Sequence, residues 1–195
     1  MRELTSLDPA YREYAYVTNG KSDTVSVVDV RTFQLTKTIK VGTAPTGIAA
    51  SRQRNEIYVV NSGSANLSVI DAENNAVAAT IGVHAEPYFI DVSQDGKRGY
   101  VANSGSANVS VIDLDQRKVI ATIRVGSAPG LARVSPDGNL VVVSNRESDT
   151  VSIIDARSLS VKDTLSVCHE PEDVAILPDS SKAFVACSGS SGSFH

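Results

Sequence analysis

The sequence contains no tryptophan, one methionine and two cysteines, and only 5% of its 195 residues are aromatic. A core without large rings or flexible thioethers has to be filled by β-branched and other small side chains, which suits packed sheets better than helix bundles. No stretch approaches the roughly 18 continuous apolar residues of a membrane-spanning helix, so no membrane span is expected. The opening run Met1-Arg2-Glu3-Leu4-Thr5-Ser6-Leu7-Asp8-Pro9 has no charged start followed by an apolar segment, so no secretory leader is expected either. Positive charge is also short: 18 Lys and Arg against 22 Asp and Glu leave a net charge of −4, with both signs scattered. Without a basic stripe, double-stranded nucleic acid is not an expected partner. There is no Cys-x-x-Cys-His for an attached haem and no compact ligand pair at metal-site spacing, so no cofactor and no metal site are assigned.

What the chain does have is a repeat. Tyr16-Val17-Thr18-Asn19, Tyr58-Val59-Val60-Asn61, Tyr100-Val101-Ala102-Asn103, Val142-Val143-Ser144-Asn145 and Phe184-Val185-Ala186-Cys187 recur at a constant step of 42. The same step carries Ser26, Ser68, Ser110 and Ser152; Asp29, Asp71, Asp113 and Asp155; Thr38, Thr80, Thr122 and Thr164; and Pro45, Pro87, Pro129 and Pro171. Within a period, Gly47 to Ser51, Glu56 to Asn61, Asn66 to Asp71 and Val77 to Val83 read as strands. Gly, Asn, Asp, Ser and Pro punctuate the gaps, and no segment has helical apolar spacing. Several short strands per period of this length make propeller blades.

The expected fold is therefore all-β: a β-propeller of four-stranded antiparallel blades. A single domain is expected over 1–195, with a partial first blade at 14–41, blades at 46–83, 88–125 and 130–167, and a partial last blade at 172–187. Dividing 195 by 42 gives about 4.6 periods, whereas propellers close with about four to eight blades. An incomplete propeller is the expectation, and its open blade edges would favour self-association. A closed four-bladed ring, completed by residues 172–177, is the alternative. Residues 1–12 fit an inner strand poorly, and Ser193-Phe194-His195 reads as a truncated third strand.

The Tyr-Val-Thr-Asn at Tyr16, the Val-Ser-Val-Val-Asp and Leu-Ser-Val-Ile-Asp runs and the Val41-Gly42-Thr43-Ala44-Pro45 segment resemble the YVTN-type β-propeller repeat family. The resemblance covers about residues 14 to 190. It implies a ring of four-stranded blades, commonly in periplasmic, secreted or cell-surface proteins, with a more distant similarity to the haem d1 domain of nitrite reductases and to propeller lactonases. That location and the absent leader leave two expectations, a cytoplasmic protein or a chain that begins inside a longer exported one.

Residues kept in every blade serve the blade, so the candidates for function are those that differ. The loops Gly42-Thr43-Ala44-Pro45 and Gly126-Ser127-Ala128-Pro129 are plain. His84-Ala85-Glu86-Pro87 and Cys168-His169-Glu170-Pro171 carry chemistry. His84, Glu86, Tyr88, Cys168, His169 and Glu170 are the ligand-binding candidates on the channel-opening face, for a protein, glycan or small ligand. A metal or haem-distal site built from the His, Cys and Glu members is a second reading. Lactonase-like hydrolysis, drawing on Asp91, Glu172 and Asp173, is a third. Asp91 and Arg133 replace alanine on adjacent inner strands and are expected to form an ion pair across blades, rather than a catalytic pair. No catalytic residue is assigned, and a binding or scaffolding role is preferred to an enzyme. Cys168 and Cys187 both fall at the ligand-face end of the last blade. A disulfide is conceivable there, but two free thiols are the expectation.

Overall fold

The structure is a computed structural model and describes residues 13–51 and 53–189. The sequence-level readings of residues 1–12 and of Ser193-Phe194-His195 lie outside the described residues. The first sheet holds β1 (Tyr14–Asn19), β2 (Thr24–Asp29) and β3 (Gln34–Lys40). The second holds β4 (Pro45–Ala50), β5 (Glu56–Asn61), β6 (Asn66–Asp71) and β7 (Ala76–Gly82). The third holds β8 (Pro87–Val92), β9 (Arg98–Asn103), β10 (Asn108–Asp113) and β11 (Lys118–Arg124). The fourth holds β12 (Pro129–Val134), β13 (Leu140–Asn145), β14 (Thr150–Asp155) and β15 (Ser160–Ser166). The last holds β16 (Pro171–Ile176) and β17 (Ala183–Cys187). All pairings are antiparallel, and the sheets follow one another as blades of an incomplete, unclosed propeller. The four-bladed ring is overturned, because β16 pairs with β17 instead of joining β1. No helix of the described residues is long and apolar enough to cross a membrane.

The core lies between blades, which explains why the second strand of each blade is apolar on both faces. Ile57 and Val59 of β5 pack back against Val25, Val27 and Tyr16 of the first sheet. Tyr58 and Val60, pointing the other way, pack forward against Ile90, Val101 and Ile112. Alternate residues of a strand face opposite sides, so a strand sandwiched between two sheets has no solvent face to make polar. Tyr100 repeats the forward contact against Ala132, Val141 and Val143. These tyrosines are inter-blade packing residues, and the Tyr58 hydroxyl reaches its polar partner, Glu56 Oε2, at 2.6 Å.

The repeated asparagines tie the second strand of a blade to the third through their side chains. Asn61 Nδ2 donates to Asn66 Oδ1 at 2.8 Å and to the Ser68 hydroxyl at 2.9 Å, tying β5 to β6 by side chains. Asn103 does the same with Asn108 and Ser110, and Asn145 with Thr150 and Ser152. The repeated aspartates do hold their turns: Asp29 Oδ1 accepts the N–H groups of Arg31 and Thr32, and Asp71 Oδ1 that of Glu73. Those donors keep both carboxyls below the ordinary carboxylate range, led by the Thr32 N–H at Asp29 and the Asn74 side chain at Asp71.

Candidate functional site

The loops that precede the inner strands and those between second and third strands are stitched together on one face. Ser62 N–H donates to Ala44 O, Ser104 N–H to Glu86 O, Arg146 N–H to Ala128 O and Ser188 N–H to Glu170 O, at 2.9 to 3.2 Å. At each acceptor the backbone is left-handed, with φ of 50° at Ala44, 49° at Glu86, 47° at Ala128 and 51° at Glu170. The blade thus fixes the backbone of this loop, leaving its side chains free to vary.

On this face a hollow of about 440 Å³ is lined by Ala128, Arg146, Glu147, Asp149, His169, Glu170 and Glu172. His169 Nδ1 lies 3.0 Å from Asp149 Oδ1, and the same oxygen accepts the Glu170 N–H at 3.0 Å. The Glu170 N–H, and then the imidazole, hold the Asp149 carboxyl below its usual range. The Asp149 carboxylate in turn raises the His169 imidazole above its usual value. Glu170 Oε2 accepts the Ser188 hydroxyl at 3.1 Å. Arg146 lines the hollow, its Nε 3.4 Å from Ala128 O, and its guanidinium lies over the Tyr88 ring at 4.6 Å from the centroid. Arg146 therefore connects Tyr88 of the third sheet with the hollow that His169 and Glu170 line.

His84 and Glu86 stand apart from this hollow. His84 Nε2 is 3.0 Å from the Thr122 hydroxyl of its own blade, and the exposed Glu86 side chain lies over Gly105. Cys168 and Cys187 form a disulfide with Cα atoms 6.0 Å apart, which corrects the expectation of two free thiols. The reason is the repeat itself, since their positions are those of Gly42 and Asn61. A Cβ on Gly42 would lie 2.7 Å from Asn61 Cγ, so the two backbones are already at bonding distance for a pair of cysteines. With Cys168 tied up, no thiolate is present at the loop. Among the described residues no group of three or more His, Cys, Asp or Glu side chains could hold a metal ion.

A second cavity, of about 400 Å³, lies at the far ends of the inner strands, where Ile48 to Ala50, Phe89 to Gln94 and Arg133 to Pro136 meet. Asp91 and Arg133 both line it but do not form the expected ion pair. Asp91 accepts the Val92 N–H on Oδ1 and the Val134 N–H of the next blade on Oδ2, both at 3.0 Å, so its carboxylate is occupied by backbone. Arg133 lies over the Phe89 ring, 4.7 Å from the centroid, and pairs with Asp173 at 3.7 Å. Arg146, Asp149 and Phe89 were not among the sequence candidates, whereas Asp173 was named there only for the hydrolytic reading. Arg146 was recoverable, since it replaces Ser62 and Ser104 at its repeat position, and Glu147 beside it replaces Gly63 and Gly105.

Successive four-stranded antiparallel sheets packed face to face define a β-propeller repeat protein. More narrowly, the chain belongs to the YNCE-like beta-propeller family, which matches residues 7–134. Comparison with curated proteins gives no match. Among solved structures, Kuenenia stuttgartiensis hydrazine synthase is similar to 88% of this chain at 30% identity, with a TM-score of 0.80. The match covers 51% of that chain, so the present chain spans about half its length.

Proposed function

We propose that the chain is a non-catalytic binding module that recognises a protein, glycan or small ligand through its loop face. The observation that carries this reading is the clustering of residues that break the repeat. Arg146, Glu147, His169 and Glu170 border one hollow, and Tyr88 adjoins it through Arg146. A guanidinium stacked on a ring, flanked by carboxylates and an imidazole, offers an aromatic surface and both donors and acceptors on a rigid scaffold. That is the equipment of recognition, without a nucleophile activated by a base.

The test compares capture by the parent protein and by Arg146→Ser and His169→Ala variants on glycan and peptide arrays. Arg146→Ser restores the repeat's own residue and should leave thermal stability nearly unchanged. Loss of capture in both variants supports the reading, and capture unchanged in both removes this hollow as the site. A second reading, part of a larger redox or hydrolytic propeller enzyme, draws on the likeness to a chain of hydrazine synthase. A stoichiometric metal or a haem absorption band in the purified protein would favour it.

A further inference from the structure

The cavity at the far end of the channel holds a guanidinium that the blades do not require. Arg133 occupies the inner-strand position of Ala49 and Ala175, so the repeat itself is satisfied by a methyl group there. The guanidinium lies over the Phe89 ring, 4.7 Å from its centroid, and the Arg133 side chain is 34% exposed. Among the described residues its only ionic partner is Asp173, at 3.7 Å, beyond hydrogen-bond range. The Asp173 side chain is 63% exposed, and an ion pair so open to solvent is weak and readily displaced. Asp91, the carboxylate that lines the cavity, faces two backbone N–H groups and forms no ion pair with Arg133. An arginine with five side-chain donors and no side-chain hydrogen bond among the described residues, over a cavity of about 400 Å³, is equipped to receive a planar anion.

We propose that Arg133 anchors a binding site for a small organic monocarboxylate. The carboxylate would be held by the guanidinium fork, with its apolar body against Ile48, Ala49 and Ala50 on the opposite wall. The chemistry of the wall selects this class. Asp91 in the wall and Asp173 beside Arg133 disfavour a dianion such as phosphate, whereas a single delocalised charge attached to an apolar group matches both the fork and the aliphatic lining. The site lies at the end of the inner strands opposite the Tyr88 and His169 hollow and does not depend on the function proposed for that face.

The experiment is a titration of the purified chain with benzoate, followed by calorimetry and by the side-chain N–H resonances of arginine. Benzamide serves as the neutral isostere and inorganic phosphate as the dianion. Saturable benzoate binding is expected, weakened at least about tenfold in benzamide and in phosphate. Arg133→Ala, which installs the repeat's own residue, should lower benzoate affinity by at least about tenfold, and Asp173→Asn should raise it several-fold by removing the competing carboxylate. The proposal is overturned if benzoate does not saturate, if benzamide or phosphate binds as well, or if folded Arg133→Ala binds benzoate like the parent. The isostere comparison uses the unaltered protein, so it decides the matter even if a variant fails to fold.

Discussion

Replacing Asn103 by alanine tests the claim that the repeated asparagine is a side-chain pin between the second and third strands of each blade. Asn103 is fully buried, and its Nδ2 donates at 2.8 Å to Asn108 Oδ1 and at 2.9 Å to the Ser110 hydroxyl. Losing two buried donations costs about 1 kcal/mol each, or about 2 kcal/mol together. Against this, Asn103 Oδ1 is buried without a partner, and removing it returns part of its desolvation cost, about 1 kcal/mol. Turning the amide over would let the oxygen accept from the Ser110 hydroxyl but would set it against Asn108 Oδ1, oxygen to oxygen. The net expectation is a loss of about 1 to 2 kcal/mol, and at 2 to 4 °C per kcal/mol for a chain of this size the melting temperature should fall by roughly 2 to 8 °C. Urea unfolding with an unchanged slope is the assay. Asn103→Asp keeps the shape but substitutes an acceptor for the donor. Burial would raise its carboxyl above the unfolded value, so its deficit should grow as pH rises through the ordinary carboxylate range. Asn19→Ala, at the partly exposed equivalent, should cost less than Asn103→Ala because water can replace the lost bonds. If Asn103→Ala is neutral or Asn103→Asp is tolerated at neutral pH, the pin is wrong.

Three further outcomes follow from other repeated or off-repeat features. Ala107 has a left-handed φ of 50°, so Ala107→Gly relieves about 1 kcal/mol of backbone cost but adds about 0.4 to 1 kcal/mol of unfolded-chain entropy; thermal unfolding should show it neutral to slightly stabilising, whereas Ala102→Gly in buried β9 should destabilise. His169 is raised by Asp149, so its contribution is full below the unfolded imidazole value and disappears as pH rises through the folded one. Asp149 is lowered, so its contribution is present above the unfolded carboxyl value and disappears as pH falls. The pair is thus strongest between those two ordinary values, and in Asp149→Asn the His169 proton resonances should titrate at lower pH than in the parent; an unchanged midpoint would refute the contact. Replacing both cysteines by serine opens a link spanning 19 residues, worth about 3 kcal/mol in the chain-entropy picture, and hydrogen exchange should quicken in β16 and β17 more than in β8 to β11.

How much was legible depends on whether a feature is written in the spacing or in the direction of a side chain. The strands, their order and the apolar second strand are written in the spacing, because a step of 42 aligns Tyr58 with Tyr100 and Pro87 with Pro129 without an insertion. That the chain stops short of closure was legible too, since the count of periods is not a whole number of blades. The partners of Asp91 and Arg133 were not. Adjacent inner strands place them near one another, but the Val134 N–H competes for Asp91, and Phe89 with Asp173 offers Arg133 a different place to lie. Sequence position says which groups share a cavity, and only geometry says which backbone donors are also present. At the loop face, Tyr88, His169 and Glu170 were legible as departures from the pattern. Arg146 departs from Ser62 and Ser104 in the loop between the second and third strands, and nothing in the sequence says that this loop shares a hollow with the loop before the next inner strand.

The disulfide shows how far the repeat can be pressed. The asparagine pin needs an acceptor five residues on and a serine seven residues on, as in Asn61 with Asn66 and Ser68. In the last period those positions are Gly192 and Phe194, so an asparagine at 187 would have neither partner in sequence. The same period places cysteine at 187, and a second cysteine at 168, where the plain loops have Gly42 and Gly126. In the plain loops a Cβ would sit 2.7 Å from the asparagine Cγ, at both Gly42 and Gly126, whereas the third blade carries His84 at that position beside an intact Asn103 pin. The covalent link joins the strand end to the loop that the pin would otherwise have approached, and it does so beside His169 and Glu170. A last blade whose asparagine pin cannot form thus holds its ligand-face loop by a bond, while the interior blades hold theirs by packing and hydrogen bonds.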